Sequence, residues 1–196
     1  FTQKQISSIL INTHYLSHIV EKYIYSSAFK ELITLSYEEK LLGTAGTLIA
    51  NENFIGNETI FLAHADNLTN FDLVSFLRKH NKRPKECLIT MMLFRTDNPS
   101  NCGIVEIDER EVVVNFFEKY NNPSSNLANA GVYLIEPKLI EIIKNFDKNS
   151  DFCIDIIPHF LGKIYTFLNT KYHRDIGSHE SLKIARLEYK NYFKKE

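Results

Sequence analysis

Asp66 is the side chain in this sequence that is best placed for chemistry. It follows Ile60–His64, a mostly apolar run that predicts a strand buried on both faces, and it precedes Phe71–His80, whose pattern predicts a helix. A carboxylate at the carboxyl end of a buried strand, before a helix, has the usual position of ligand-binding groups in open α/β sheets. The alternative is a turn former or helix cap, which is the commoner use of such an Asp and is favoured by this pattern alone.

Two glycines mark a second candidate site. Gly43 and Gly46 lie just before or inside a predicted helix start within Glu38–Ala50. Backbone N–H groups at a helix start are free and the helix dipole favours anions, so a phosphate can bind at such a place. A simple loop-to-helix junction also explains the spacing, and from the spacing alone it is the favoured interpretation.

The order of the remaining apolar patterns indicates an α/β fold. Further strands are predicted at Ile6–Asn12, Leu32–Leu35, Cys87–Phe94, Gly103–Asp108, Glu111–Phe117, Val132–Ile135 and Ile164–Leu168. Further helices are predicted over Leu16–Ile24, from Pro137 through Ile143, over Asp151–Ile157 before Pro158, and over Glu180–Lys195. A hairpin around Glu109-Arg110 makes the sheet mixed rather than purely parallel. The amphipathic last helix packs on its own domain, the commoner outcome, or forms a homo-oligomer contact.

Composition narrows the class of protein. A chain of 196 residues can bury a sizeable core in one domain, and a net charge of -1 lacks the basic field that nucleic-acid binding needs. No apolar run approaches the length of a membrane span and no signal peptide is visible, so we expect no membrane partner. The three cysteines are an odd number without zinc spacing, which is typical of free thiols in a reducing cytoplasm.

Five short segments follow one another in a characteristic order. They are Leu42–Gly46, Ala65–Asp66, Phe117–Lys119, Asn129–Gly131 and Asp175–Gly177. Together they resemble the sugar-phosphate nucleotidyltransferases, or nucleoside-diphosphate-sugar pyrophosphorylases, and in particular the mannose-1-phosphate and heptose-1-phosphate guanylyltransferase branch. The resemblance covers nearly the whole chain. It implies one Rossmann-like α/β domain over residues 1–196, with a mixed, mostly parallel sheet flanked by helices.

The resemblance also implies a reaction. The family transfers a nucleotidyl group from a nucleoside triphosphate, GTP in the branch resembled here, to a sugar 1-phosphate and releases pyrophosphate. Such an enzyme serves nucleotide-sugar and polysaccharide biosynthesis. Asp66 and Asp175 match the family's two metal aspartates, so the resemblance favours a metal role over capping for both. Mg²⁺ takes one or two carboxylates plus substrate oxygens and waters, and it offsets the repulsion between the two anionic phosphates.

Four residues match the family's sugar-phosphate site. Glu118 stands where a carboxylate accepts hydrogen bonds from sugar hydroxyls, and Lys119 stands where a cation neutralises the sugar phosphate. Asn129 and Gly131 match the segment that lies against the sugar, where small residues permit close backbone approach.

Another four residues match the nucleoside site. Gly43, Thr44 and Gly46 match the loop that lies beside the base and the ribose, and Glu38 stands where the family often has a base-reading Gln or Glu. Three further side chains flank the two aspartates and either face substrate or pack locally: His64, His173 and Arg174.

One diagnostic element of the family does not occur in this sequence. It is a Gly-rich loop with an Arg, followed by a Pro-Lys, which holds the triphosphate after the first strand of the domain. The sequence opens at Phe1, after the point where that strand and loop should lie. Two explanations compete: the working protein has an upstream segment, or the chain is a non-catalytic remnant that binds sugar phosphate or nucleotide. We expect the upstream segment, because Asp66, Lys119 and Asp175 are all present.

Overall fold

Strands and helices give the chain an α/β fold, as its sequence predicts. The computed structural model describes residues 6–118 and 125–192. Its strands are β1 (Ile9–Thr13), β2 (Ile33–Tyr37), β3 (Ile60–Ala63), β4 (Asn67–Asn70), β5 (Ile89–Arg95), β6 (Gly103–Ile107), β7 (Val113–Glu118), β8 (Leu127–Ile135), β9 (Ile164–Leu168) and β10 (Tyr172–Asp175). Its α-helices are α1 (Ser17–Tyr25), α2 (Gly43–Ala50), α3 (Glu52–Ile55), α4 (Leu73–Asn81), α5 (Lys138–Ile143) and α6 (His179–Tyr192).

The chain divides into two compact units, of which the first contains β1, β2 and α2. It comprises the described residues of Phe1–Asn57 together with Ile140–Ile156. β1 and β2 pair in parallel, with Ile9 opposite Ile33, and α1 connects them along the chain. The expectation of one domain over residues 1–196 stays a prediction.

The second unit contains the larger sheet. It comprises the described residues of Glu58–Leu139 and Ile157–Glu196. The strand order is β7-β6-β8-β5-β9, and β3 pairs with β8 as well. β5 is almost entirely buried, as its near-continuous apolar run predicts. β8 is almost entirely buried as well, and it begins at Leu127, earlier than the predicted start at Val132. β8 has β5 along one edge, whereas β3 and β6 share its other edge.

The mixed α/β class is confirmed, but fewer strand pairs are parallel than expected. Among the described strands, β1–β2 and β5–β9 pair in parallel. The pairs β3–β8, β5–β8, β6–β8, β6–β7 and β4–β10 are antiparallel. The main reason is β8, a long central strand that runs opposite to all three of its neighbours.

Two expectations about the neighbourhood of Asp66 need correction. β3 forms as predicted, but it is not buried on both faces: Ile60–Leu62 is half-buried and Ala63 is exposed. Within the described residues β3 pairs along one edge only, with β8, and so lies at a margin of the sheet. In addition, β4 intervenes between Asp66 and α4. The polar residues of β4 carry no apolar pattern from which a strand could be predicted.

The segment around Pro158 also differs from expectation. A π-helical turn at Phe152–Ile156 is followed by a 3₁₀ turn at Ile157–Phe160, so Pro158 lies inside the second turn instead of ending a helix. Pro is tolerated there because the N–H groups of a first helical turn need no partner within the helix. Among the described residues, no helix is both long and apolar enough to cross a lipid bilayer.

A buried histidine ties α4 to the larger sheet. His80 is 1% exposed. Its Nδ1 lies 2.7 Å from Thr90 Oγ1 on β5, and its Nε2 lies 2.9 Å from Glu136 Oε1. The Arg83 guanidinium lies 2.9 Å from the same Glu136 oxygen. Burial lowers the pKa of His80 below its ordinary value of 6.5, although the Glu136 carboxylate opposes the shift.

We therefore expect stability to depend on pH through His80. The native state disfavours protonation of His80, so below pH 6.5 the unfolded chain binds more protons and the free energy of unfolding falls as the pH falls. Urea unfolding between about pH 7.5 and about pH 5.5 should show this slope, and His80→Gln should reduce it while also lowering stability by about 1–3 kcal/mol through lost buried hydrogen bonds. His18→Gln, at an exposed position on α1, is the matched control. An unchanged slope in His80→Gln would contradict the assignment.

Candidate active site

Two carboxylates that are far apart in sequence lie beside one glycine. Asp66 follows β3 and Asp175 ends β10, and both are exposed. A Cβ atom placed on Gly177 would lie 3.0 Å from Asp66 Oδ2 and 3.1 Å from Asp175 Oδ1. A side chain at position 177 would therefore crowd both carboxylates, and glycine leaves the space beside them open.

Backbone hydrogen bonds hold the two aspartates in this arrangement. The Ile176 N–H donates to the Asp66 carbonyl at 2.7 Å, and the Gly177 N–H donates to Asp175 Oδ1 at 2.7 Å. β10 pairs antiparallel with β4, with Asp175 opposite Asn67. The residue that follows Asp66 is thus the direct cross-strand neighbour of the second aspartate.

The donor set at this place fits Mg²⁺. Within residues 6–118 and 125–192, no group of three or more His, Cys, Asp or Glu side chains could hold a metal ion. A structural zinc site needs four protein ligands and a catalytic one needs three, whereas Mg²⁺ is often held by one or two carboxylates and completes its shell with water and substrate phosphates. Asp66 and Asp175, which approach the same position beside Gly177, supply such a pair.

An irregularity in β8 brings a third segment to the Asp66 loop. The register pairs Met91 with Tyr133 but Leu93 with Asn129, so β8 has extra residues between these pairs. Gly131 lies in this bulge with a φ of +62°. Bulges are common next to active sites, where they redirect the strand and its side chains.

Gly131 allows the bulge and the Asp66 loop to lie close together. The His64 N–H donates to the Gly131 carbonyl at 3.1 Å, and Asn67 Nδ2 donates to the Ala130 carbonyl at 2.8 Å. A Cβ atom on Gly131 would lie 2.9 Å from Asn67 Nδ2 and 3.1 Å from His64 Nδ1. These contacts fix the backbone on both sides of Asp66.

Two more residues of the expected sugar site lie in the second unit. Asn129 accepts a hydrogen bond from the Gly131 N–H at 3.0 Å and donates to the Tyr133 hydroxyl at 2.7 Å. Glu118 is exposed at the end of β7. Burial raises the pKa of the Cys102 thiol, and the negative charges of Glu118 and Asp175 act in the same direction. Lys119 lies outside the described residues.

Gly43 and Gly46 of the first unit allow close packing against another segment of the chain. At the start of α2, two N–H groups are not free, because those of Ala45 and Gly46 both donate to the Ser150 carbonyl, at 3.0 and 3.1 Å. Gly43 has a φ of +75°, and a Cβ atom on it would lie 2.5 Å from the same carbonyl oxygen. The expectation of free N–H groups for an anion is therefore wrong at Ala45 and Gly46. The alternative interpretation, a loop-to-helix junction, describes them.

Thr44 belongs to the same junction. Its hydroxyl donates to Asp151 Oδ2 at 3.1 Å and accepts from the Phe152 N–H at 2.7 Å. These bonds hold the chain after Ser150 against the start of α2. Contact of Gly43, Thr44 and Gly46 with a base and ribose stays a prediction.

Glu38 is a buried carboxylate with several donors of its own. It is 4% exposed and accepts hydrogen bonds from the Leu42 N–H at 3.1 Å, from Asn12 Nδ2 at 3.2 Å and from the Thr47 hydroxyl. It thereby connects β1 to the start of α2. Its role in reading a base stays a prediction.

The two histidines that flank the aspartates lie against neighbouring residues. The His173 ring centroid lies 4.3 Å from that of Phe94, and burial lowers the pKa of His173 to about 4. His64 lies against Gly131, as described above. Within the described part of the chain, His173 Nδ1 and His64 Nε2 are buried without a hydrogen-bond partner.

A family comparison assigns this chain to a known class of protein. A model of the nucleotidyl transferase family matches residues 1–191 of the chain. The chain belongs to the nucleotidyl transferase family. In fold it is also similar to HddC from Yersinia pseudotuberculosis, with a TM-score of 0.80 at 20% identity over 95% of this chain and 80% of that one.

Curated relatives of this chain differ in the nucleotide that they are named for. The mannose-1-phosphate guanylyltransferase of Mycobacterium tuberculosis is 29% identical over 180 residues, which cover 89% of this chain and 49% of that protein. The glucose-1-phosphate adenylyltransferase of Clostridium acetobutylicum is 27% identical over 157 residues, which cover 74% of this chain and 41% of that protein. The chain therefore spans about half the length, or less, of the curated relatives that it matches.

The structure places the sequence-predicted residues in two groups. The second unit brings Asp66, Asp175, Asn129 and Gly131 together around one loop, and the first unit gathers the residues expected at the nucleoside: Glu38, Gly43, Thr44 and Gly46. One residue near the aspartates was missed, Glu188 on α6. Its signal in the sequence is faint, since an acidic residue on an amphipathic helix is usually a solvated one.

Replacing Gly131 tests whether close approach at the bulge is required. Gly131→Ala should lower the free energy of unfolding by about 1–2 kcal/mol for the left-handed backbone and by a further 1–3 kcal/mol, roughly, for the clash with Asn67 and His64. Gly162→Ala is the matched control, because Gly162 has a φ of +79° but open space where a Cβ would lie. Urea unfolding of both variants gives the comparison. Equal losses would show that the space beside Gly131 does not matter.

Proposed function

We propose that this chain is the catalytic part of an enzyme that transfers a nucleotidyl group from a nucleoside triphosphate to a sugar 1-phosphate. The products are a nucleoside-diphosphate sugar and pyrophosphate. The observation that carries the proposal is the meeting of Asp66 and Asp175 beside Gly177. Membership in the nucleotidyl transferase family supports the reaction class, and the names of the relatives support a sugar 1-phosphate as acceptor.

Mg²⁺ is the ion that we assign to the two aspartates. When bound, it offsets the repulsion between the sugar phosphate and the α-phosphate and orients their in-line displacement. Asp66 and Asp175 would hold it. The hydrogen bond from the Gly177 N–H orients the carboxylate of Asp175, and the bond from the Ile176 N–H fixes the backbone of Asp66. Hydrogen bonds of this kind orient the carboxylates that ligate metals.

We assign the binding of the sugar 1-phosphate to residues around the β8 bulge and at the end of β7. Glu118, an exposed carboxylate, is assigned to accept hydrogen bonds from sugar hydroxyls. Lys119 is assigned to neutralise the sugar phosphate. Asn129 is oriented by Tyr133 and by the Gly131 N–H, and Gly131 is assigned to the same segment against the sugar.

The donor nucleotide that we infer is GTP. The guanylyltransferase relative matches 89% of the chain and the adenylyltransferase 74%. The base and ribose are assigned to the junction at the start of α2, formed by Gly43, Thr44 and Gly46, together with Glu38. We place the reaction in the cytoplasm, in the supply of nucleotide sugars for polysaccharide synthesis. Free thiols at three positions fit reducing surroundings: Cys87, Cys102 and Cys153.

Removing either metal carboxylate should stop the reaction. Asp66→Asn and Asp175→Asn keep the size of the side chain but remove a charged oxygen donor. Each should lower pyrophosphate release by at least about 100-fold, since loss of groups that only orient a metal ligand already costs about 10–100-fold. Release is measured with Mg²⁺ across a panel of nucleoside triphosphates and sugar 1-phosphates. Asp97→Asn, at an exposed position in the second unit, is the control for the same chemical change.

The assay uses the natural full-length protein, with its N terminus established by intact mass. Release with a single pair of substrates would name the nucleotide and the sugar together. Near-normal release by both aspartate variants would refute the metal assignment. If the wild-type protein binds sugar phosphate but releases no pyrophosphate with any pair in the panel, the result would favour a non-catalytic binding protein over an enzyme.

A further inference from the structure

Asp175 ends a small ribbon that is not part of the larger sheet. Within the described residues, β10 pairs only with β4, and each strand has four residues. A two-stranded ribbon is marginally stable on its own and needs packing against another element. The position of Asp175 relative to Asp66 therefore depends on what packs against β10.

The two faces of β10 have different surroundings. Side chains alternate along a strand, so His173 and Asp175 share one face, and Tyr172 and Arg174 share the other. His173 packs against Phe94 on the first of these faces. The opposite face is the one that α6 contacts through Tyr172 and Arg174.

Glu188 on α6 joins both residues of that second face. Arg174 Nε donates to Glu188 Oε2 at 2.8 Å, and the Arg174 terminal nitrogen donates to Oε1 at 2.9 Å. The Tyr172 hydroxyl donates to Oε2 at 2.7 Å. Two parallel bonds between a guanidinium and a carboxylate form the most directional ion pair that proteins use. We call these three residues the Glu188 clamp.

The clamp is more than a surface ion pair. The side chains of Arg174 and Glu188 are only 30% and 31% exposed. α6 reaches the end of β10 at a second point, because the Ser181 hydroxyl donates to the Asp175 carbonyl. Ala185, between these two contacts, is 1% exposed. The helix thus holds the strand at Asp175 itself and at the two residues of the clamp.

We propose that Glu188 is a positioning residue for the two-aspartate site, which fixes β10 through Arg174 and Tyr172 so that Asp175 stays beside Asp66. The inference deepens the proposed function and rests on its metal assignment. Glu188 does not touch the metal position itself. Glu188 affects where the Asp175 carboxylate lies. Replacing Glu188 should therefore weaken metal binding even when the fold is intact.

The test measures Mn²⁺ binding to the natural full-length protein by electron paramagnetic resonance of the free ion. Every variant is assayed well below its own unfolding midpoint, so that loss of fold does not enter. Glu188→Ala removes the clamp, and Glu188→Gln keeps one acceptor oxygen. Arg174→Lys keeps the charge but not the two parallel bonds. Glu180→Ala removes the same side chain from an exposed position on the same helix and controls for charge.

We expect Glu188→Ala to weaken Mn²⁺ binding by about 10-fold. Glu188→Gln and Arg174→Lys should weaken it less, and Glu180→Ala should bind Mn²⁺ as tightly as the wild type. Asp175→Asn should abolish binding. Binding by Glu188→Ala within about 2-fold of wild type would overturn the proposal, as would an equal loss in Glu180→Ala. If Glu188→Ala does not fold, Glu188→Gln and Arg174→Lys are the test instead. Mn²⁺ binding by both within about 2-fold of wild type would overturn the proposal.

The measurements distinguish failure of the Glu188 proposal from failure of the proposed transfer reaction. A wild-type protein that binds Mn²⁺ but releases no pyrophosphate with any substrate pair would refute the transfer reaction. The clamp would still stand in that case if Glu188→Ala binds Mn²⁺ more weakly. A wild-type protein that binds no Mn²⁺ would overturn the positioning role, since there would be no metal site for Glu188 to align.

Discussion

The need of β8 for hydrogen-bond partners on both edges is the constraint on which the second unit depends. Its backbone is buried, and buried N–H and C=O groups are costly when unpaired. β5 follows one edge, whereas on the other edge β3 ends opposite Val132 and β6 joins opposite Ala128. Between these two points the carbonyls of Ala130 and Gly131 accept from Asn67 and His64. The loop that carries Asp66 thus completes the edge of the central strand.

The candidate metal site follows from this arrangement through a short series of hydrogen bonds. The Asp66 carbonyl accepts from the Ile176 N–H, and β10 pairs with β4 directly after the loop. Asp175 is therefore held relative to Asp66 by backbone geometry, with Gly177 leaving the space beside them open. Packing from the other side comes from α6. We therefore expect a site on so small a ribbon to respond to residues that pack against β10 from the side of α6.

The first unit shows how one pattern serves two physical purposes. Glycines at a helix start suit an anion, but they equally permit another backbone to approach closely. In this fold the Ser150 carbonyl takes the N–H groups of Ala45 and Gly46, and Thr44 is bonded to Asp151 and Phe152. The donors are thus satisfied within the protein. Any contact of this junction with a nucleoside would involve atoms other than these two N–H groups.

The sequence by itself determined the α/β class, the buried strand β5, the hairpin of β6 and β7, the helices α1 and α6, and the two aspartates as the pair to examine. Those features are visible in the sequence as local periodicities of apolar residues or as motifs that follow one another in a characteristic order. Only the tertiary structure decided the direction of β8, the strands β4 and β10, the packing role of Gly43 and Gly46, and the partnership of Glu188 with Arg174. These depend on which distant backbone or side-chain atoms satisfy one another's hydrogen bonds, and short polar segments carry no periodic signal of such long-range pairing.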